Sequence, residues 1–280
     1  MRILFVDLNN IIHLCRTPNL DSSVINGGWG SVQQFYIILN SYLKKFQPDS
    51  VVIADDGYSR WRREKYPNYK KNRIKSPDQI EPIMLEYERN AKEIKKSLHL
   101  FPFHYLKCNN LEADDLIYLG VKNSLETDEK IVLSGDYDLT QVLKFANTIQ
   151  FHPIKKINLP IPEYDIVRYK CLVGDSSDNI KGIHLIGPVK AKKILVSSKT
   201  FNEWYQNLDS DNQELYQKMK DIIDLERIPE EYINEYNHMI NEEQKKRIVY
   251  DENAILDYCE EKNINRFNIQ IHRKLYQNLN

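Results

Sequence analysis

The sequence predicts a doubly wound α/β fold with a mostly parallel sheet, and three observations carry that expectation. Short apolar runs end in aspartate: RILFVD at Asp7, SVVIAD at Asp55 and KIVLSGD at Asp136. Segments of helical spacing, such as SVQQFYIILNSYLKKF, separate them. Beyond about residue 180 the strand signals fade into helices and turns. Strands alternating with helices are the pattern of βαβ units. In chain order, RILFVD and SVVIAD read as buried strands flanking the first long helix, and FPFHYLKC reads as a third strand. NNLEADDLIYLG opens a helix, KIVLSGD is a fourth strand and TIQFHPI an edge strand. NEEQKKRIVYDENAILDYCEEK belongs to a smaller helical domain, so we expect domains at 1–180 and 181–280.

At 280 residues and 41% hydrophobic content the chain can bury a sizeable core. The net charge of −1 conceals local extremes, because 28% charged residues can still segregate into an acidic pocket and a basic rim. Cys15, Cys108, Cys171 and Cys259 are scattered and form no CxxC pair, which indicates neither a zinc site nor a disulfide framework. No uncharged stretch is long enough to span a bilayer. A cytoplasmic monomer is the expectation.

In an open parallel sheet, function gathers at the carboxyl ends of the strands. Asp7, Asp55 and Asp136 occupy that edge, and Glu112, Asp114 and Asp115 sit where a helix leaves it. With Asp138, Asp175 and Asp178, nine carboxylates are candidates for one crevice. Any one of them alone could as well be a helix cap or turn residue. Two carboxylates about 4.5 Å apart repel by roughly 4 kcal/mol at an effective dielectric of about 20. The cluster therefore calls for cations, and an oxygen-only donor set selects Mg²⁺ or Mn²⁺ over zinc. So many acids suggest a two-metal site suited to phosphodiester cleavage. Glu112 and Asp114 point nearly opposite ways on a regular helix. For both to reach one site, Glu112 must lie at or before the first helical turn.

From Arg60 to Lys75, RWRREKYPNYKKNRIK sets eight Lys or Arg residues against the single acid Glu64. By default such a run is a solvated helix face, but it begins beside the crevice, where bases can stack and phosphates can be held. Arg60, Arg62, Arg63, Tyr69 and Lys71 are candidate nucleic-acid contacts, and Lys70 and Arg73 are placed to draw a phosphate toward the metals. KGIHLIGPVKAKKIL reads as a helix, a turn from Gly182 to Gly187 and a second helix opened by Pro188. Its backbone N–H groups with Lys190, Lys192 and Lys193 would grip a phosphodiester without reading sequence.

In family order, FVDLNN, VIADDGYSRWRREKYPNYKKNR, LEADD, LSGDYDLTQV and VGDSSDNIKGIHLIG resemble the flap endonuclease and 5′-nuclease superfamily, most closely the bacteriophage-type 5′-to-3′ exonucleases, also called phage ribonuclease H. The resemblance implies a PIN-like α/β domain with a helical appendage carrying a helix–three-turn–helix element. It implies a first metal among Asp7, Asp55, Glu112 and Asp114, and a second served by Asp115, Asp136, Asp138, Asp175 and Asp178. Lys70 and Arg73 would lie in an arch over the site, within residues 60–98. The glycine turns would hold duplex, with K⁺ in that element in some relatives, although His184-Leu185 stands where relatives often carry a shorter, glycine-rich turn. Implied partners are DNA and RNA·DNA duplexes with 5′ ends or flaps, and replication proteins, in a bacterial host cytoplasm if the chain is phage-encoded.

Two alternatives come from other classes. DYDLT from Asp136 and GDSSD match motifs of haloacid-dehalogenase-type phosphatases, in which Asp136 would be the nucleophile. That reading leaves Asp7, Asp55 and Glu112 without a role. An inactive nucleic-acid-binding protein would keep the basic segments, yet gains nothing from a carboxylate pocket.

Overall fold

Strand order along the six-stranded sheet is β3-β2-β1-β4-β5-β6, built from Arg2–Asp7 (β1), Ser50–Asp55 (β2), His104–Lys107 (β3), Glu129–Leu133 (β4), Thr148–His152 (β5) and Ile157–Asn158 (β6). The first five are mutually parallel, and β6 runs antiparallel to β5. The order reverses between β1 and β4, so the functional crevice is expected at their carboxyl ends. This computed structural model describes residues 1–15, 28–73, 82–246 and 250–264, with Arg273, Tyr276, Gln277 and Leu279. Within the proposed arch, residues 74–81 lie outside the described residues.

Side-chain alternation divides the strands between two apolar clusters. Ile3, Phe5, Val132 and Ala54 face one cluster, with Leu116 and Ile117 of α5 (Ala113–Asn123). Leu4, Val6, Val51 and Ile53 face the other, against α1 (Leu8–Leu14) and α2 (Gly30–Phe46). Helix α2 buries Val32, Phe35, Tyr36, Leu39 and Leu43, the spacing of one helical face. Each such side chain contributes about 1.5–3 kcal/mol on burial. α3 (Arg60–Lys65) and α4 (Pro82–Ser97) follow β2.

After the sheet come α6 (Ile166–Val173), a two-stranded ribbon of β7 (Gly174–Asp175) and β8 (Ile180–Lys181), and α7 (Pro188–Ile194). Then follow α8 (Ser198–Gln206), α9 (Ser210–Ile223), α10 (Glu230–Lys245) and α11 (Glu252–Glu261). Phe201, Tyr216, Met219 and Tyr236 of these helices join the first apolar cluster, whereas Ile255 and Tyr276 join the second. Among the described residues no helix is long and apolar enough to cross a membrane.

Three local expectations differ from the structure. TIQFHPI is not an edge, because β6 covers the outer side of β5. Of FPFHYLKC only His104–Lys107 pairs, because Phe101 and Phe103 stack on each other in the core, 5.5 Å apart. No helix leads directly into Gly182: α6 ends at Gly174, whose φ of +84° and closeness to Gly182 N admit no Cβ, and the ribbon intervenes.

Candidate active site

Asp7 ends β1 on the α5 side of the sheet. One of its carboxylate oxygens accepts from Asn10 N at 3.1 Å, capping α1, and the other from Ser134 Oγ at 2.7 Å. Across the switch point Asp136 follows β4 and caps the 3-10 turn Tyr137–Lys144 by accepting from Asp138 N at 2.9 Å. Glu112 is the N-cap of α5, where the sequence required it to lie, and Asp114 is in the first turn. Capping thus aims Asp7 and Asp136 into the cleft, whereas Glu112, expected at the first metal, instead accepts from Lys70, Tyr69 and Arg62 and joins neither carboxylate group there.

The resulting cleft, about 450 Å³, is lined by Asp7, Asp56, Asp114, Asp136, Asp138 and Asp178, with Lys70, Arg73 and Lys170 as its cations. Carboxylate oxygens of Asp114, Asp136 and Asp138 lie within 4.8 Å of one another, as do those of Asp138, Asp175 and Asp178. Asp138 is common to both groups. The donor set is oxygen only, as a hard divalent cation requires. Burial, then Asp56, pushes the Asp7 carboxyl up to about 7. Burial, then Asp136 and Asp7, raises Asp114 well above the usual carboxylate range. Asp138 is pushed up to about 6, chiefly by burial, even though Lys170 opposes the shift. These acids are short of positive charge, and the residues fit divalent cations.

A carboxyl raised in the folded state gives stability that is fully present below its unfolded value and lost as pH climbs through the folded one. In EDTA the melting temperature is therefore expected to fall as pH rises from 3.8, the ordinary aspartate value, toward about 7. His152, lowered by burial, and Glu112, held low because Lys70 and Arg62 outweigh burial, oppose the trend at the upper and lower ends of that window. Mg²⁺ should flatten the slope, since binding expels these protons. Calorimetry across that window checks it, and a melting temperature that rises with pH in EDTA would contradict the assignment.

Lys70 donates to Glu112 Oε1 at 2.6 Å and lies 4.0 Å from Asp178, while Arg73 donates to Asp178 at 2.5 Å. Both line the cleft, Lys70 with φ +53° and Arg73 in the 3-10 turn Lys71–Arg73. Asp175 accepts from Ser177 Oγ at 2.6 Å and from Lys170 at 2.6 Å, and is held down at about 2 because these partners outweigh burial.

Several residues singled out in the sequence lie elsewhere. Asp55 is fully buried on the opposite face of β2, bound by Lys95 at 2.5 Å, Tyr105 OH at 2.7 Å and Lys107 at 2.9 Å. Burial pushes its carboxyl up, but the two lysines and the tyrosine outweigh it and hold it low. Asp56, which the sequence reading missed, enters the cleft instead and accepts from Ala113 N at 2.8 Å at the start of α5. Strand parity could have found it, because Val51, Ile53 and Asp55 alternate with Val52 and Ala54. Gly57 makes the turn possible: an added Cβ would lie 2.0 Å from Cys108 O.

Asp115 does not open to the cleft. It is fully buried, paired through both oxygens with Arg62 at 2.5 and 2.6 Å, and it accepts from Glu112 N at 2.9 Å. Arg62, expected to touch nucleic acid, is 2% exposed and also donates to Ile222 O. Tyr69 is likewise buried and donates to Glu112 at 2.6 Å, so neither presents a surface to a base or phosphate. Arg60 and Lys71 are exposed, and Arg63 is half-buried over the Tyr58 ring. Lys190, Lys192 and Lys193 are exposed on α7, which begins at Gly187 with Pro188 in its first turn. Lys170, the other residue missed, has no spacing signal, since it sits in the ordinary helical run IVRYKCLV.

A doubly wound sheet with a carboxylate cleft at its switch point, followed by a helical region, is the architecture of a structure-specific nuclease with acidic clusters able to hold a metal. Residues 19–166 match the family model described as the 5′-3′ exonuclease N-terminal resolvase-like domain, and 161–234 match the 5′-3′ exonuclease C-terminal SAM fold. The chain belongs to the 5′-3′ exonuclease/flap endonuclease family. It is 27% identical over 238 residues to flap endonuclease Xni of Shewanella denitrificans, covering 81% of this chain and 89% of that one. It is 30% identical over 208 residues to a 5′-3′ exonuclease of Aquifex aeolicus, with 70% and 68% covered. Against DNA polymerase I of Caldicellulosiruptor bescii it is 28% identical over 238 residues, which is 79% of this chain but only 27% of that protein. The flap endonuclease of bacteriophage T5, solved with DNA and metal ions, shares the fold at TM-score 0.69 and 18% identity, over 88% of this chain and all of that one. Another T5 5′-exonuclease structure, with TM-score 0.66 and 16% identity over 86% of this chain and 99% of that one, holds divalent zinc. Family membership removes the phosphatase alternative.

Proposed function

We propose that this chain is a 5′-nuclease, dependent on two Mg²⁺ or Mn²⁺ ions, that cleaves phosphodiester bonds at 5′ ends and flaps of DNA or RNA·DNA duplexes and removes primers or flaps in replication. The observation that carries this reading is the meeting of five predicted acids, Asp7, Asp114, Asp136, Asp138 and Asp178, with Lys70 and Arg73 in one cleft. Asp114, Asp136 and Asp138 would hold one ion, with Asp138, Asp175 and Asp178 serving the other. Bound there, divalent ions supply charge neutralisation and activation of water.

The chain's own residues do the rest. Lys70 and Arg73 place positive charge at the cleft, where the scissile phosphate gathers charge in the transition state. Capping of α1 and α5 holds the acids in position before substrate arrives, which avoids reorganisation during reaction. Residues 1–180 would form the catalytic part and 181–280 the duplex-binding part, with the Gly182–Gly187 turns and Lys190, Lys192 and Lys193 on the phosphate backbone. Support for K⁺ in those turns comes from the resemblance alone, and Leu185 adopts φ +60° where a glycine would be unstrained.

The test is incubation of the protein with end-labelled flap, nicked, gapped and RNA·DNA duplexes, followed by sizing of the products. Cleavage from 5′ ends is expected in Mg²⁺ or Mn²⁺, with binding but little cleavage in Ca²⁺. Release from 3′ ends only, or full activity in EDTA, would overturn the proposal.

A further inference from the structure

Lys170 stands on α6 with its ammonium inside the carboxylate cleft. It pairs with Asp138 and, at 2.6 Å, with Asp175, and its side chain is 17% exposed. It lines both the cleft and the narrower pocket behind it, which Glu112, Asp114 and Asp178 also border. Asp138 and Asp175 are two of the three carboxylates in the second candidate cation group. One carboxylate pair therefore has two claimants, an ammonium carried by the chain and a divalent ion.

The two groups of acids are not equally contested. Asp114 and Asp136 have no lysine or arginine ion pair among the described residues, so a cation between them competes with Lys170 only for Asp138. A cation on the Asp138–Asp175–Asp178 side must take both carboxylates of the Lys170 pair and meets Arg73 on Asp178. Like charges cannot share those oxygens at contact distance.

We propose that Lys170 gates the second cation position. The ammonium must leave Asp138 and Asp175 before a divalent ion takes both, so the two ions bind in order, and a phosphate entering the cleft is the anion that draws Lys170 aside. An ammonium paired nine-tenths of the time weakens the apparent affinity of the second ion about tenfold. Lys170 is thus a positioning residue, and its role rests on the metal-dependent reading above.

The experiment is calorimetric titration of Ca²⁺ and Mn²⁺ into wild type, Lys170→Met and Lys170→Arg, with thermal melts alongside. Wild type should show one tighter and one weaker site, and Lys170→Met should tighten the weaker site about tenfold and leave the tighter one nearly unchanged. Lys170→Arg should restore the weak site. A 5′-flap duplex in Ca²⁺ should tighten the second site of wild type, and much less that of Lys170→Met. Equal, tight sites in wild type without DNA would overturn the gate whether or not the variants fold, and so would an unchanged second site in folded Lys170→Met. Failure of wild type to bind either ion would instead remove the nuclease reading on which the gate stands.

Discussion

Asp114→Asn is expected to slow cleavage by roughly a hundred- to a thousandfold or more while raising the melting temperature of the protein in EDTA. The two effects share one cause. Asp114 sits in the first turn of α5 with Asp136 and Asp138 close by, and burial and those neighbours push its carboxyl well above the ordinary range. Folding without a cation must either keep this group protonated or bear its repulsion. Asparagine keeps the shape and removes the charge, so the gain should be on the order of 1 kcal/mol or more. Mg²⁺ should raise the melting temperature of wild type more than that of the variant, because stabilisation grows with affinity for the folded state. Paired melts with and without Mg²⁺ decide the matter. Clear destabilisation of Asp114→Asn in EDTA would make this acid a structural group and sink the metal assignment.

Arg62→Met should have the largest effect on stability, a loss of about 3–5 kcal/mol, because it strands a fully buried carboxylate without a partner. Asp115 would lose both guanidinium hydrogen bonds, and Glu112 would lose a neighbouring positive charge at 3.3 Å. The melting temperature should fall on the order of 10 °C. Arg62→Lys should rescue little, since an ammonium cannot meet both carboxylate oxygens as the planar fork does. An Arg62 that served as a phosphate contact would behave differently: near-normal stability, weaker DNA binding and a salt dependence shallower by about one unit. A melt and a salt titration on the same variant separate the two roles.

Much of the fold was legible because its signals are local. Apolar runs ending at Asp7 and Asp136 became β1 and β4 with the turn after it, and the apolar face of α2 was written in the spacing of Val32, Phe35, Leu39 and Leu43. The placement of Glu112 was also legible, since helical geometry forbids it and Asp114 from facing one site except at a helix start. β6 was not, because two residues carry no periodicity and only pairing with β5 makes them a strand.

By itself, the sequence determined the chemical kind of the cleft, acids spread over strand ends and helix starts with Lys70 and Arg73 nearby, but not its membership, since Asp56 and Lys170 enter it and Asp55 and Asp115 do not. Strand propensity and capping depend on near neighbours, so they can be read along the chain. Only the tertiary structure decided which charges face the cleft and which neutralise one another. The run from Arg60 to Lys75 looked like one basic surface, yet Arg62 and Tyr69 turn inward to Asp115 and Glu112, 53 and 43 residues away in sequence. Asp55 and Asp56 are adjacent, but the pleat sends one to Lys95 and Lys107 and the other to the site. Lys170 enters only because α6 packs against the turn after β4. The physical reason is that a charge's partner is set by distance in space, which residue order along the chain does not encode.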